Sequence, residues 1–538
     1  MTTAAQQQTR LDWRDEDWPA TVLHEVLADA LARRGPDTVA YRYVDAGIDL
    51  TLGALQAEAD RWTAALLAAG VQAGDRVAIA LGGVALWPIL QVACSQAGAV
   101  VVGLNTRYGT HELEHVLAGA APAVVVTVGN RDGRTFADVL ARALTTLAPD
   151  RAPTVVVVDG QAPDAFVEAG AFLAAGTGTA FAARRAAVAP TDLALIQYTS
   201  GSTSAPKGVE LDHDTLLRTA FHVGAAAGYD ETDVVYSALP FYHVGGSICT
   251  GPGALVSGVM MVIPEAYDAL TSVRQMIEQR CTAEQGHAAM FTMQIDAARE
   301  AGVLDDLALR KGWVAAPPSV MQRIAGELGI AGVVPVYGMS EYGLICAGGR
   351  DEPLDDRVSG VGWPAPGTEV RLVEVGDGGI GAIEVRGSQM MRGYRDDPAG
   401  TDAARDAGGW LRTGDLGRHA PDGRMIFAGR EKEMLKPGGE NVSAAEIEEF
   451  LRDHPRIAAV AVIGVRDARL GEAPAAIVQA VGPAPLTLDD VRAFCDGRIA
   501  RFKTPKALFV VPELPLLANG KIDKVSLNAR YGDHEVTR

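Results

Sequence analysis

The stretch from Tyr198 to Glu210 reads YTSGSTSAPKGVE, a run of hydroxyl and small residues that ends in a lysine. In a tight turn, Thr199, Ser200, Gly201, Ser202, Thr203 and Ser204 can present backbone N–H groups and side-chain donors to phosphate oxygens. Lys207 adds a compact positive charge. The spacing is not that of the Walker loop, because a proline precedes the lysine. By composition alone, the same stretch reads equally well as a Ser/Gly/Thr surface loop. Four later segments carry a carboxylate or lysine among glycines: YGMSE (337–341), WLRTGDLG (410–417), GREKEMLKPGGENVSAAEIE (429–448) and LPLLANGKIDK (514–524). Taken singly they read as a solvated glutamate, a Gly-Asp turn, a turn before a helix and a turn bearing an exposed lysine.

A phosphate-binding turn needs a rigid strand to hold it, and the apolar run LALIQ just before it predicts one, with a helix-like segment from near His213. Upstream, β-branched runs at 77–81, 100–104, 123–128 and 154–160 alternate with helical stretches at 55–69, 110–118 and 136–147. Strand alternating with helix predicts parallel sheets covered on both faces. Around 358–430 the short strands EVRLVEV, GAIEVRG and RMIFAGR among many glycines predict a small antiparallel region. From Lys432 the pattern restarts as helix, strand, strand, helix, strand, a unit of about a hundred residues. The expected fold class is therefore α/β, with a large N-terminal domain over 1–431 and a small mobile α+β lid over 432–538.

The 538 residues are 48% hydrophobic and 21% charged, as expected of a folded multidomain chain and not of a disordered one. A formal charge of -19 argues against nucleic acid or an anionic membrane as partner. The apolar region 77–104 is broken by Pro88, Gln91, Ser95 and Gln96, so it reads as strand, helix, strand and not as a membrane span. The first residues lack an apolar signal core, and five scattered cysteines suit reduced thiols, so a cytoplasmic location is expected.

The five segments, in this order, resemble the signatures of the superfamily of acyl- and aryl-CoA synthetases, peptide-synthetase adenylation domains and luciferases. The resemblance spans nearly the whole chain and points to the acyl-CoA ligase branch, with ATP, Mg2+ and coenzyme A as the implied cofactors. It implies that the ring of Tyr337 packs on adenine beside Gly338 and Met339, that Ser340 meets the α-phosphate, and that Glu341 holds magnesium. Asp415 and Arg430 would take the ribose hydroxyls, with Ala316 and Pro317 flanking the adenine. Lys432 falls at the family's hinge, and Gly438, Gly439 and Glu440 fall in the loop that lines the pantetheine tunnel. Lys521 matches the lysine that bridges the substrate carboxylate and the α-phosphate. The implied reaction has two steps in one site: adenylation with Lys521 in place, then thioester formation after the lid rotates and the 438–440 loop replaces it.

PFYHVGG at 240–246 resembles the border of the acyl pocket, formed by Phe241, Tyr242, His243, Gly245 and Gly246, with Ala289 and Met290 from HAAMF. His243 would gate the carboxylate, although a packed core histidine is an equal reading of that residue. Amino-acid-activating relatives carry an aspartate here. Its replacement by this aromatic and histidine segment argues for an apolar acid, whether fatty, aromatic or polycyclic.

Two positions depart from the family pattern. Ser204 stands where glycine is usual, and Ala315 and Ala316 stand where the segment is usually glycine-rich. Both touch the adenylation half. They open a second reading, in which the protein mainly thioesterifies an acyl-adenylate supplied by a separate enzyme, and a third, a non-catalytic nucleotide or adenylate binder. A luciferase-like oxygenase shares the signatures. A homodimer is left open. The hinge assignment predicts that Lys432→Pro retains acid-dependent ATP/pyrophosphate exchange and abolishes thioester formation; equal loss of both in the paired assays would remove it.

Overall fold

The computed structural model describes residues 11–129, 136–148, 152–160, 162–163, 165–199, 206–316, 318–375, 379–430, 434–440, 442–482, 484–515 and 522–536. Two large sheets carry the N-terminal body. In the first, the spatial order is Gly393–Tyr394, Lys207–Asp212, Leu193–Thr199, Val100–Gly103, Arg76–Ala80, Val124–Thr127, Thr154–Val157 and Val167–Glu168. From Leu193–Thr199 outward every pairing is parallel, and the four-residue Val-rich strands are buried on both faces, as a helix-covered parallel sheet requires. Helix α1 (Thr110–Ala120) crosses between two of these strands and buries Leu113, Val116 and Leu117. The region 77–104 is strand, helix, strand as expected, with helix Leu86–Ala97 between the two strands.

Strand β1 (Leu193–Thr199) pairs antiparallel with β2 (Lys207–Asp212). Lys207 therefore starts a strand that the sequence reading passed over on its way to helix α2 (His213–Ala227). Residues 200–205, which connect β1 and β2, lie outside the described residues, so of the phosphate-turn candidates only Thr199 and Lys207 are placed. The Asp212 carboxylate accepts the Thr215 N–H and caps α2, which explains why the helix begins there.

The second sheet has nine strands. At its centre, β3 (Val234–Ser237), β4 (Ala283–His287), β5 (Lys311–Ala315) and β6 (Gly332–Met339) lie side by side and parallel. Helix α3 (Ala288–Ala301) follows β4 directly. A four-stranded antiparallel sheet over Thr368–Val373, Gly381–Gly387, β7 (Leu411–His419) and β8 (Met425–Arg430) forms the small β region anticipated between 358 and 430.

The C-terminal α+β domain sets helices Ala444–Arg452 and Leu488–Cys495 against strands Ile457–Asp467, Gly471–Ala480 and Ala507–Val510. It has its own apolar clusters, one around Ile447, Leu451, Val460, Val478 and Val491. A further helix, Lys524–Tyr531, was not foreseen; it packs Leu527 and Tyr531 under the sheet. All five cysteines are free thiols. Among the described residues no helix is long and apolar enough to cross a membrane.

His213 is 2% exposed, and neither ring nitrogen has a hydrogen-bond partner among the described residues. Burial pushes its pKa down to about 4, and burial does the same to His24, whose Nδ1 lies 2.9 Å from Ser95 Oγ. The folded chain keeps both rings neutral, whereas the unfolded chain takes up their protons near the ordinary histidine value of about 6.5. The unfolded state thus binds more protons between these limits, so stability is complete above about pH 6.5 and falls as the pH drops toward 4. Thermal unfolding followed across that range should show the decline, and His213→Leu should flatten it; an unchanged slope would mean that His213 does not contribute.

Candidate active site

Four adjacent parallel strands end on one edge of the second sheet, which is where open α/β sheets hold ligands. β3 runs out into Pro240–Gly246, β4 ends at His287, β5 at Ala315 and β6 at Met339. Their neighbouring registers bring His243, His287, Ala315 and the Tyr337–Glu341 segment to a common rim.

The loop after β3 is tightly fixed. The His243 carbonyl accepts N–H bonds from Gly246 at 3.0 Å and Ser247 at 2.8 Å, entering a π-helical turn over Gly245–Thr250. Such turns concentrate at functional sites. From β1, Gln197 donates through Nε2 to the Tyr242 carbonyl at 2.5 Å and accepts from Ser247 Oγ at 3.2 Å. Strand β1 therefore also holds the loop that carries His243. Phe241 stacks on Trp87 with centroids 5.6 Å apart and is 1% exposed, so it serves the core, while Tyr242 meets the His243 ring edge-on at 5.0 Å. Met290 is buried and its carbonyl accepts from Tyr267 Oη; Ala289 is half-buried beside it.

On the nucleotide side, Tyr337 Oη donates to Asp415 Oδ2 at 2.8 Å, and both residues are mostly buried. Asp415 on β7 stands opposite Arg430 on β8 in the register, so the two predicted ribose residues are cross-strand neighbours. Phe427, also on β8, brings a half-exposed ring within 6.0 Å of Tyr337. Glu341 accepts from Tyr394 Oη at 3.1 Å. Lys207 lies 3.2 Å from Asp397 and 4.6 Å above the Tyr394 ring, which ties the predicted phosphate lysine and the predicted magnesium carboxylate to one tyrosine. Gly338, Met339 and Ser340 lie between them on the rim, with Gly338 exposed; Ala315 is exposed and Ala316 half-buried.

From the C-terminal domain, the turn Pro437–Gly439 reaches the start of α3. Gly438 takes φ 60°, a left-handed conformation that a side chain would strain, and donates its N–H to the Leu470 carbonyl at 3.0 Å. This bend delivers Glu440, whose Oε2 lies 2.8 Å from His243 Nε2 and whose Oε1 lies 3.5 Å from Arg107. Burial works to raise the Glu440 pKa, but the charge and hydrogen bond of His243 and the charge of Arg107 outweigh it and hold it below the ordinary range. His287 shares this corner without a hydrogen-bond partner among the described residues, and burial keeps it neutral, with a pKa pushed down to about 4.

The structure thus pairs His243 with Glu440 and Tyr337 with Asp415, and links Glu341 and Lys207 through Tyr394. Lys432, Lys521 and Pro317 lie outside the described residues. Arg107, His287, Tyr394 and Phe427 are additions that sequence reasoning missed. Their only signal was proximity to quoted segments, since His287 opens HAAMF and Phe427 lies within RMIFAGR.

A large α/β body with a parallel-strand rim and a Tyr–Asp pair, followed by a small C-terminal α+β domain, has the architecture of an adenylate-forming ligase. The profile of the AMP-binding enzyme family matches residues 28–395, and that of its C-terminal domain matches 446–521. The chain belongs to this family, in its acyl-CoA ligase branch. It is 35% identical to the 3-[(3aS,4S,7aS)-7a-methyl-1,5-dioxo-octahydro-1H-inden-4-yl]propanoyl:CoA ligase of Mycobacterium tuberculosis (strain ATCC 25618 / H37Rv), over 86% of this chain and 90% of that one. It is 30% identical to the mitochondrial medium-chain acyl-CoA ligase ACSF2 of Danio rerio, over 93% and 87%. A malonyl-CoA ligase ternary product complex with methylmalonyl-CoA and AMP superposes with TM-score 0.73 at 28% identity, covering 91% of this chain and 99% of that one.

A double-mutant cycle on His243→Ala and Glu440→Ala, read as the CoA-dependent rate, should give a coupling of about 0.5–2 kcal/mol. The 40% exposure of the imidazole keeps the value toward the lower end. Additive effects would separate the two residues functionally.

Proposed function

We propose that the protein is an AMP-forming acyl-CoA ligase that converts an apolar carboxylic acid to its CoA thioester through an acyl-adenylate. The observation that carries this reading is Glu440, delivered on the Pro437–Gly439 turn to His243 at the rim. That placement suits a lid presenting its tunnel loop to the acyl carbonyl. The relatives' activities, and the AMP and CoA ester in the superposed complex, agree with it.

In the first step the acid's carboxylate attacks the α-phosphorus of ATP and pyrophosphate leaves. Positioning and charge neutralisation carry such a step, so Lys521 and Lys207 would offset the developing negative charge. Asp415 and Arg430 would hold the ribose, and Tyr337 the adenine. Glu341, an oxygen ligand held by Tyr394, fits Mg2+, which takes one or two carboxylates and completes its shell with phosphate oxygens and water. When bound, that ion would neutralise phosphate charge. In the second step the CoA thiol attacks the acyl carbonyl, the S–C bond forms, the C–O bond to phosphate breaks, and AMP departs as the thiol proton is lost.

The division of labour follows from the same reading: 1–431 binds nucleotide and acid, and 432–538 is the lid that turns near Lys432. The rim segments offered to the acid are apolar or small, with Met290, Ala289, Gly245 and Met339. The orientation of Glu440 also keeps the second reading in play, in which the thioesterification half predominates because Ser204, Ala315 and Ala316 weaken adenylation.

Acid-dependent ATP/pyrophosphate exchange over a panel of medium-chain fatty acids and bicyclic propanoates, for the native chain and Ser204→Gly, separates the readings. Exchange by the native chain is the expected result. Exchange only in the glycine variant would assign the native protein to thioesterification. Silence in both, with no thioester from synthetic acyl-adenylate and CoA, would overturn the ligase reading.

A further inference from the structure

We propose that the first turn of α1, Gly109 to Glu112, is the dock that holds the C-terminal domain in the thioester-forming orientation, with Glu112 as its positioning residue. The proposal rests on the two-step ligase reading. Glu112 is 1% exposed and uses both carboxylate oxygens. Oε2 accepts the Gly109 N–H at 2.9 Å, satisfying the backbone donor at the start of its own helix. Oε1 accepts the Ala500 N–H of the C-terminal domain at 2.6 Å. Lys503, 2% exposed, lies 3.7 Å from the same oxygen and 2.5 Å from Glu446, so it sits between a carboxylate of the body and one of the lid.

The backbone seals the joint. His111 N–H donates to the Arg498 carbonyl at 3.2 Å, and Thr110 N–H reaches the Gly497 carbonyl at 3.5 Å. A Cβ on Gly109 would lie 2.6 Å from the Arg498 carbonyl carbon and 2.9 Å from the Ile499 nitrogen. Gly109 has φ -87°, which any residue adopts, so glycine is required there by the approach of the lid and not by the turn itself. These contacts exist only with residues 497–503 against α1, and the same lid placement sets Glu440 beside His243. Any rotation that withdraws the 438–440 loop must also pull Ala500 and Lys503 away from Glu112, leaving its helix cap intact.

Two substitutions read this without touching the rim. E112Q keeps an oxygen for the Gly109 N–H but turns an amide N–H toward Ala500 N–H and Lys503, replacing an acceptor by a donor. G109A adds a methyl whose three nearest neighbours are all lid backbone atoms. Each should retain native ATP/pyrophosphate exchange and the acid's KM within about twofold, and lose thioester formation from synthetic acyl-adenylate by about ten- to a hundredfold, the worth of a hydrogen bond to a buried charge. Loss of exchange in step with thioester formation, or native thioester rates in both variants, would overturn the dock. A native chain silent in both half-reactions would instead remove the ligase reading. The dock would then be judged by the electron–electron distance between nitroxides at Arg61→Cys and Asp489→Cys: a shift in E112Q and G109A supports it, and an unchanged distribution rejects it.

Discussion

A carboxylate buried at a seam between two domains must be paired, because taking an unpaired one out of water costs several kcal/mol. Glu440 is in that position, mostly buried, with His243 on one oxygen and Arg107 on the other. The lid can keep it there only while the body presents both partners. His243 in turn is presented by a loop whose carbonyls are held by Gly246, Ser247 and Gln197, and Gln197 belongs to the strand that opens into the phosphate turn. One hydrogen bond at the seam thus depends on the register of two separate sheets.

The sheets supply that register by topology. Parallel neighbours put successive strand ends on the same edge, so segments separated by nearly a hundred residues, from Tyr242 to Met339, arrive at one rim. The antiparallel β7–β8 pair adds Asp415 and Arg430 as opposite residues, an arrangement that a parallel pair joined by a crossover would reach only with a long connection. Tyr337, at the end of β6, then bridges the two systems by donating to Asp415. The end of β6 is in this way braced against the β7–β8 pair.

Much of this was legible in the sequence because each catalytic signature sits at the end of a run with a clear period. The Val-rich strands, the small antiparallel region and the C-terminal restart all left patterns of two or of helix length. β2 was passed over because KGVELD is short and follows directly on the turn, where the glycine and lysine read as loop. Helix Lys524–Tyr531 was missed for the related reason that KVSLNARY holds few apolar residues. Glu112 and Lys503 left no local signal at all, and Arg107 and His287 only their nearness to segments singled out for other residues. A lone charge or imidazole in sequence is by default solvated, and these four acquire meaning only when segments hundreds of residues apart meet.

The chemistry of the seam explains how a joint that tight can also open. Beside Ala500 and Phe502, which touch the α1 cluster, and the ring contacts of Phe450 with His111 and of Tyr108 with Lys503, its contacts among the described residues include carboxylate, ammonium, guanidinium, imidazole and backbone groups. An apolar seam would gain free energy with every Å² hidden from water and would trap the lid in one orientation. Buried charges behave otherwise: the attraction between partners is largely offset by the hydration they surrender, and that hydration returns when they part. The bond from the Gly109 N–H lies within the body, so in the proposed undocking Glu112 would expose a carboxylate that is still half-satisfied. A polar joint therefore fixes geometry sharply while leaving the two orientations close in free energy. The two-step ligase reading proposed above requires that combination, specificity of position without depth of trap.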